Sequence, residues 1–164
     1  MKFKSLCFFL LLTLCGRGMS ADFCRYPNTN QLAWDKEFSL AIHRFFGERQ
    51  ENFFYRGPLY QQVLAGLGGP SDDIISIENK LRFASACRAH SCTEKAAVLI
   101  ACPDKVVAAG ILHFAPDTMA ATLTVYSPKL NPTIRSAFSV WREKIAQKDG
   151  IKMSMEYRQP GPER

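Results

Sequence analysis

His90 stands between two cysteines five positions apart, in the run Cys87-Arg88-Ala89-His90-Ser91-Cys92. If Cys87 and Cys92 join, the histidine occupies the tip of a six-residue ring. A ring of that size removes roughly 2 kcal/mol of chain entropy from the unfolded state and confines its tip before any partner arrives. The same spacing suits a structural disulfide carrying an incidental surface histidine. Structural zinc would require two closely spaced ligand pairs, and no second Cys or His pair is present. A c-type haem would require the histidine directly after the second cysteine. An enzyme of the thiol or hydroxyl class needs a free nucleophile beside a base, yet the cysteines best placed to react flank His90 and are expected to be oxidised. A preorganised binding probe and a structural staple therefore remain as the two readings, and neither involves a catalytic residue, metal or cofactor.

Whether the ring closes depends on the compartment. Lys2 and Lys4 precede an apolar run, Leu6 to Cys15, that is too short to span a bilayer and is followed by Gly16, Gly18, Ser20 and Ala21. This pattern predicts a cleaved signal peptide over 1–21 and one exported domain over 22–164, in an oxidising compartment. No later stretch is apolar enough to suggest a membrane span. Cleavage removes Cys7 and Cys15 and leaves Cys24, Cys87, Cys92 and Cys102, which allow three pairings. The short-range Cys87 to Cys92 bridge is favoured, and Cys24 to Cys102 would then tie the N-terminal arm to the body. The leader holds three basic residues and no acidic one, so the net charge of +6 falls to about +3 in the mature chain. That surplus is too small and scattered to argue for nucleic acid.

The elements that would position the ring follow from periodicity. Trp34, Phe38, Ile42 and Phe45 recur at helical spacing and predict one buried helix face after the turn-forming Tyr26-Pro27-Asn28-Thr29-Asn30, with His43 beside that face as an ordinary boundary histidine. A second helix is expected from Pro58 through Leu64, stopping at Gly66 or at Gly68-Gly69-Pro70. Ile75, Ile77, Leu81 and Phe83 predict a strand leading into the ring. Beyond the ring, 96–101, 106–114 and 121–126 are strand-like and are joined by short connections containing Pro-Asp pairs. Such connections cannot hold a crossover helix, which argues for an antiparallel meander, with His113 half-buried and hydrogen-bonded on a strand. Asn131, Pro132 and the stripe Ile134, Phe138, Trp141 and Ile145 predict a final helix ended by Gly150, after which 151–157 suit a short strand. The expected fold is α+β: an antiparallel meander of about four to five strands with flanking helices and a disulfide-closed protruding loop.

Taken together, the leader, the N-terminal aromatic helix, the Cys-x-x-His-x-Cys loop, the strands after it and the Pro-started helix with a tryptophan resemble the inhibitor of vertebrate lysozyme (Ivy) family of bacterial periplasmic proteins. The resemblance implies that Cys87 and Cys92 close the loop and that His90 enters the active-site cleft of a C-type lysozyme. The family loop runs Cys-Lys-Pro-His-Asp-Cys; here Arg88 keeps the charge, Ala89 gives up proline's restriction and Ser91 gives up a carboxylate. The implied partner is lysozyme, with one of the bacterium's own lytic transglycosylases as an alternative target, and the family allows a homodimer. A periplasmic binding or immunity protein acting on another cell-wall hydrolase is the competing reading.

Overall fold

The computed structural model describes residues 21–78 and 80–161. Apart from Ala21, the leader expected over 1–21 lies outside them. A 3₁₀ turn, Phe23–Arg25, opens the described chain. Then come α1 (Thr29–Ala33), α2 (Lys36–Phe46), a two-stranded ribbon of β1 (Gln50–Asn52) and β2 (Arg56–Pro58), and α3 (Leu59–Gly66). The main sheet contains β3 (Ile75–Glu78), β4 (Leu81–Arg88), β5 (Ser91–Ala101), β6 (Lys105–Phe114), β7 (Ala121–Tyr126) and β8 (Met153–Arg158), and α4 (Pro132–Asp149) lies between the last two strands.

The fold is α+β, with six strands in spatial order β3-β4-β5-β6-β7-β8 where the sequence suggests four to five. The tight connections make β3 to β7 an antiparallel meander. The stretch from Ile75 to Phe83, expected as one strand, is instead a hairpin whose arms are β3 and the start of β4. The expected C-terminal strand pairs parallel to β7, because the 18-residue α4 supplies the long crossover that a parallel neighbour requires.

Apolar runs on β5 and β6 are nearly continuous because both sheet faces are covered. On one face Ala84, Val98, Ile100 and Ile111 pack against Phe38, Ile42, Phe46, Leu59 and Val63 of α2 and α3. On the other, Phe83, Leu99, Leu112 and Leu123 pack against Ile134, Phe138 and Trp141 of α4. Asn131 caps α4 through its side-chain oxygen at 2.9 Å from the Ile134 amide, and Gly150 ends it at φ 68°, a conformation that favours glycine.

The predicted N-terminal helix is two helices. Asp35 caps α2 by accepting from the Phe38 amide, so the chain turns between 33 and 36 and Trp34 becomes the C-terminal cap of α1. Trp34 is 77% exposed rather than buried, and Phe46 joins Phe38 and Ile42 on the inward face, with Phe45 only partly buried.

Two disulfides close. Cys24 and Cys102, with Cα atoms 5.8 Å apart, fasten the N-terminal turn to the β5–β6 connection, where the Phe23 amide also donates to the Pro103 carbonyl at 2.7 Å. Cys87 and Cys92, with Cα atoms 4.7 Å apart, close the ring at the opposite end of β5.

Candidate functional site

β4 and β5 are paired from Leu81–Ala101 to Cys87–Lys95, and after a bulge Arg88 faces Ser91. Only Ala89 and His90 lie outside the strands, and both are exposed. The stem below them is rooted in buried Ala84, Ala86, Ala96 and Val98, so the ring crowns the middle of the sheet rather than a free loop. His90 adopts φ 63°, a left-handed conformation in which histidine is several-fold over-represented among non-glycine residues. Its imidazole makes no hydrogen bond or ion pair among the described residues.

The residues around His90 are far more constrained. Arg88 Nη1 is 2.6 Å from Glu94 Oε2, and its guanidinium lies 5.4 Å from the Phe54 ring centre and 6.0 Å from that of Tyr55. The sequence offers Arg88 as a loop charge; the structure turns it down onto β5 and the aromatic β1–β2 ribbon, two-thirds covered. On the other side, 69–72 runs beside the stem like a further short strand. The Gly69 amide donates to the Cys87 carbonyl at 2.8 Å, the Cys87 amide to the Pro70 carbonyl at 3.1 Å, and the Asp72 amide to the Ser85 carbonyl at 2.9 Å. Ser85 Oγ donates to Asp72 Oδ2 at 2.7 Å, and Ser71 bridges Ala86. Asn30 of α1 donates through Nδ2 to the Gly69 carbonyl at 2.6 Å. A third side is an open groove lined by His90, Cys92, Lys95, Lys148 and Asp149, where Lys95 Nζ lies 3.2 Å from Asp149 Oδ2.

Of the other histidines, His43 Nε2 is 2.8 Å from Glu48 Oε1 and its ring packs on Tyr60 at 4.4 Å, a surface arrangement on α2. His113 is half-buried on β6, stacked on Phe53 at 3.9 Å, with Nε2 3.0 Å from Thr124 Oγ1. Thr124 spends its single hydroxyl proton on Glu156 Oε1 at 2.7 Å, so it accepts from His113, which carries its proton on Nε2. Burial pushes the His113 pKa down to about 4. Among the described residues no group of three or more His, Cys, Asp or Glu is placed to hold a metal ion.

A family model described as Inhibitor of vertebrate lysozyme (Ivy) matches residues 55–144, more than half of the chain, from just before β2 through the ring and into α4. The chain belongs to the Ivy family. A search of curated proteins and a search of solved structures each returned no match. As an Ivy protein it is a lysozyme inhibitor and not an enzyme, and lysozyme is its partner. No described helix is long and apolar enough to cross a membrane.

Sequence reasoning found the ring but missed what holds it. Asn30 reads as part of a turn-forming cluster and Gly69 as a helix stop, and nothing in the spacing of either points onward to the ring. The signal that was available is the pair Gly68-Gly69 directly before Pro70, a place where backbone can approach backbone.

Proposed function

We propose that this Ivy protein is exported by removal of a leader over 1–21 and acts in the periplasm as a single inhibitory domain, inserting His90 between the catalytic carboxyls of a C-type lysozyme. The supporting observation is the contrast at the ring: an exposed imidazole without a hydrogen-bonding partner among the described residues, carried by a stem that is braced on two sides by Glu94 and by the 69–72 backbone.

Retaining glycosidases of the lysozyme kind hold one protonated carboxyl and one carboxylate about 5 Å apart. A histidine meets that mixed pair with both ring nitrogens, as a donor and an acceptor when neutral or as two donors when protonated. The ring reacts with nothing; it excludes substrate by occupying the cleft. Arg88 serves the loop from below, since its charge is already matched by Glu94, and Ser91 brings no second charge to the tip.

Turbidity loss of a cell-wall suspension, measured with a C-type lysozyme and increasing amounts of the mature protein, tests this reading. Wild-type protein should stop lysis near equimolar amounts. His90→Ala removes both contacts and leaves the enzyme's carboxyls desolvated without replacement, which should cost about 2 kcal/mol or more, roughly thirtyfold in affinity, at an unchanged melting temperature. Full inhibition by that variant would move the inhibitory surface away from the ring.

A further inference from the structure

The ring disulfide shortens the loop but does not fix its direction: a hairpin tip beyond the last paired residues can still pivot about its stem. In this molecule the pivot is blocked from outside the hairpin. The 69–72 strap exchanges backbone hydrogen bonds with Cys87 on both sides, Gly69 to the Cys87 carbonyl and Cys87 to Pro70. Both contacts fall on a ring cysteine. At Gly69 the two backbones approach so closely that a Cβ would press into the Cys87 carbonyl oxygen and lie 2.7 Å from the Ala89 nitrogen, immediately before His90. The strap is in turn held by the Asn30 side chain of α1, whose Nδ2 donates to the Gly69 carbonyl at 2.6 Å and, more weakly, to the Leu67 carbonyl at 3.5 Å.

We infer that Gly69 and Asn30 are positioning residues for inhibition: Gly69 admits the strap to the base of the ring, Asn30 holds it there, and the two together aim His90. The inference rests on the ring being the inhibitory element. Both residues act through Cys87 and Ala89 and neither needs to touch lysozyme. A probe that must reach two carboxyls at once is sensitive to small errors of aim, which gives such a brace its value.

Gly69→Ala is the direct variant, but it crowds backbone and can damage folding. Asn30→Asp is the gentler one. It keeps the side-chain shape, suits the first turn of α1, and replaces the donor to the Gly69 carbonyl with an acceptor. Inhibition constants against a C-type lysozyme should rise about fivefold for Asn30→Asp, the scale of one lost hydrogen bond, and further for Gly69→Ala. The amide resonances of Ala89 and His90 should shift in NMR spectra of the free Asn30→Asp protein. The deciding measurement is the cycle with His90→Ala. If the brace acts by aiming His90, Asn30→Asp costs nothing more once the imidazole is gone. An undiminished fivefold loss in the His90→Ala background, or no loss in the wild-type background, overturns the positioning role and leaves the ring reading standing. A His90→Ala protein that inhibits fully overturns both.

Discussion

His90 and His113 sit in regions of opposite design. The ring presents an imidazole with no hydrogen bond or ion pair among the described residues, on a stem braced by the Arg88–Glu94 pair and by the backbone bonds of 69–72. Under the ribbon, every group is used internally. Glu51 Oε1 receives Arg49 through Nε and Nη2, each at 2.8 Å, the Tyr126 hydroxyl at 3.2 Å and Arg158 Nη1 at 3.4 Å. Arg158 also pairs with Glu156, and Thr124 links Glu156 to His113. A chemically rich cluster is thus no sign of a working site when its groups consume one another. An isolated histidine on a rigid tip is the more informative observation.

That contrast predicts a clean separation between stability and inhibition. Glu51→Ala removes the carboxylate shared by Arg49, whose side chain is 7% exposed, and by Arg158 and Tyr126. The loss should be about 3 kcal/mol of unfolding free energy in urea titration, because buried Arg49 loses its carboxylate and keeps only its other contacts, among them the Gln159 and Gly161 carbonyls. Protein that remains folded should inhibit as wild type does. Impaired inhibition by folded Glu51→Ala would merge the two regions.

Opening the ring should have the reverse balance. Cys87→Ser with Cys92→Ser gives up roughly 2 kcal/mol of unfolded-state restraint, yet far-ultraviolet circular dichroism should be unchanged because both apolar layers are intact. The inhibition constant should rise, since the free tip has more freedom to lose on binding. An unchanged constant would mean that the 69–72 strap alone preorganises His90.

The effect that is absent at neutral pH and grows only on acidification is the acid sensitivity of His113. Burial lowers its pKa from 6.5 to about 4 in the folded state, so the unfolded chain binds the proton first as pH falls. The stabilising contribution is complete above about pH 6.5, is lost as pH falls towards 4, and changes no further below that. His113→Gln should flatten this part of the stability profile in thermal melts between pH 4 and 7, leaving the carboxylate contributions in place. A profile identical to wild type would show that the cluster relaxes around the charge.

Local signals carried most of the architecture. Asn131, Pro132 and the stripe to Ile145 mark α4 because capping and amphipathic spacing lie within one element. The Pro-Asp connections mark the meander for the same reason. Trp34 falls outside the buried face although its spacing to Phe38 fits a helix, because the Asp35 cap that breaks that helix is a single residue that also reads as a surface charge. The parallel placement of β8 depends on α4 crossing the sheet face, and Glu51 on the ribbon is bonded by Arg158, 107 residues further on. Pairings of that reach leave no periodic trace. The ring was legible for its cysteines and histidine, and its support by Asn30 and Gly69 was not.

The two-residue tip has an evolutionary side. Ala89 is exposed and contributes nothing to either apolar layer, whereas Cys87, two positions earlier, is locked into the strap by both its amide and its carbonyl. Mutations at the tip can therefore accumulate without endangering the fold, while those one step down the stem cannot. On the reading that the ring enters the lysozyme cleft, exposed position 89 is where a lineage can explore new fits at little cost to the fold.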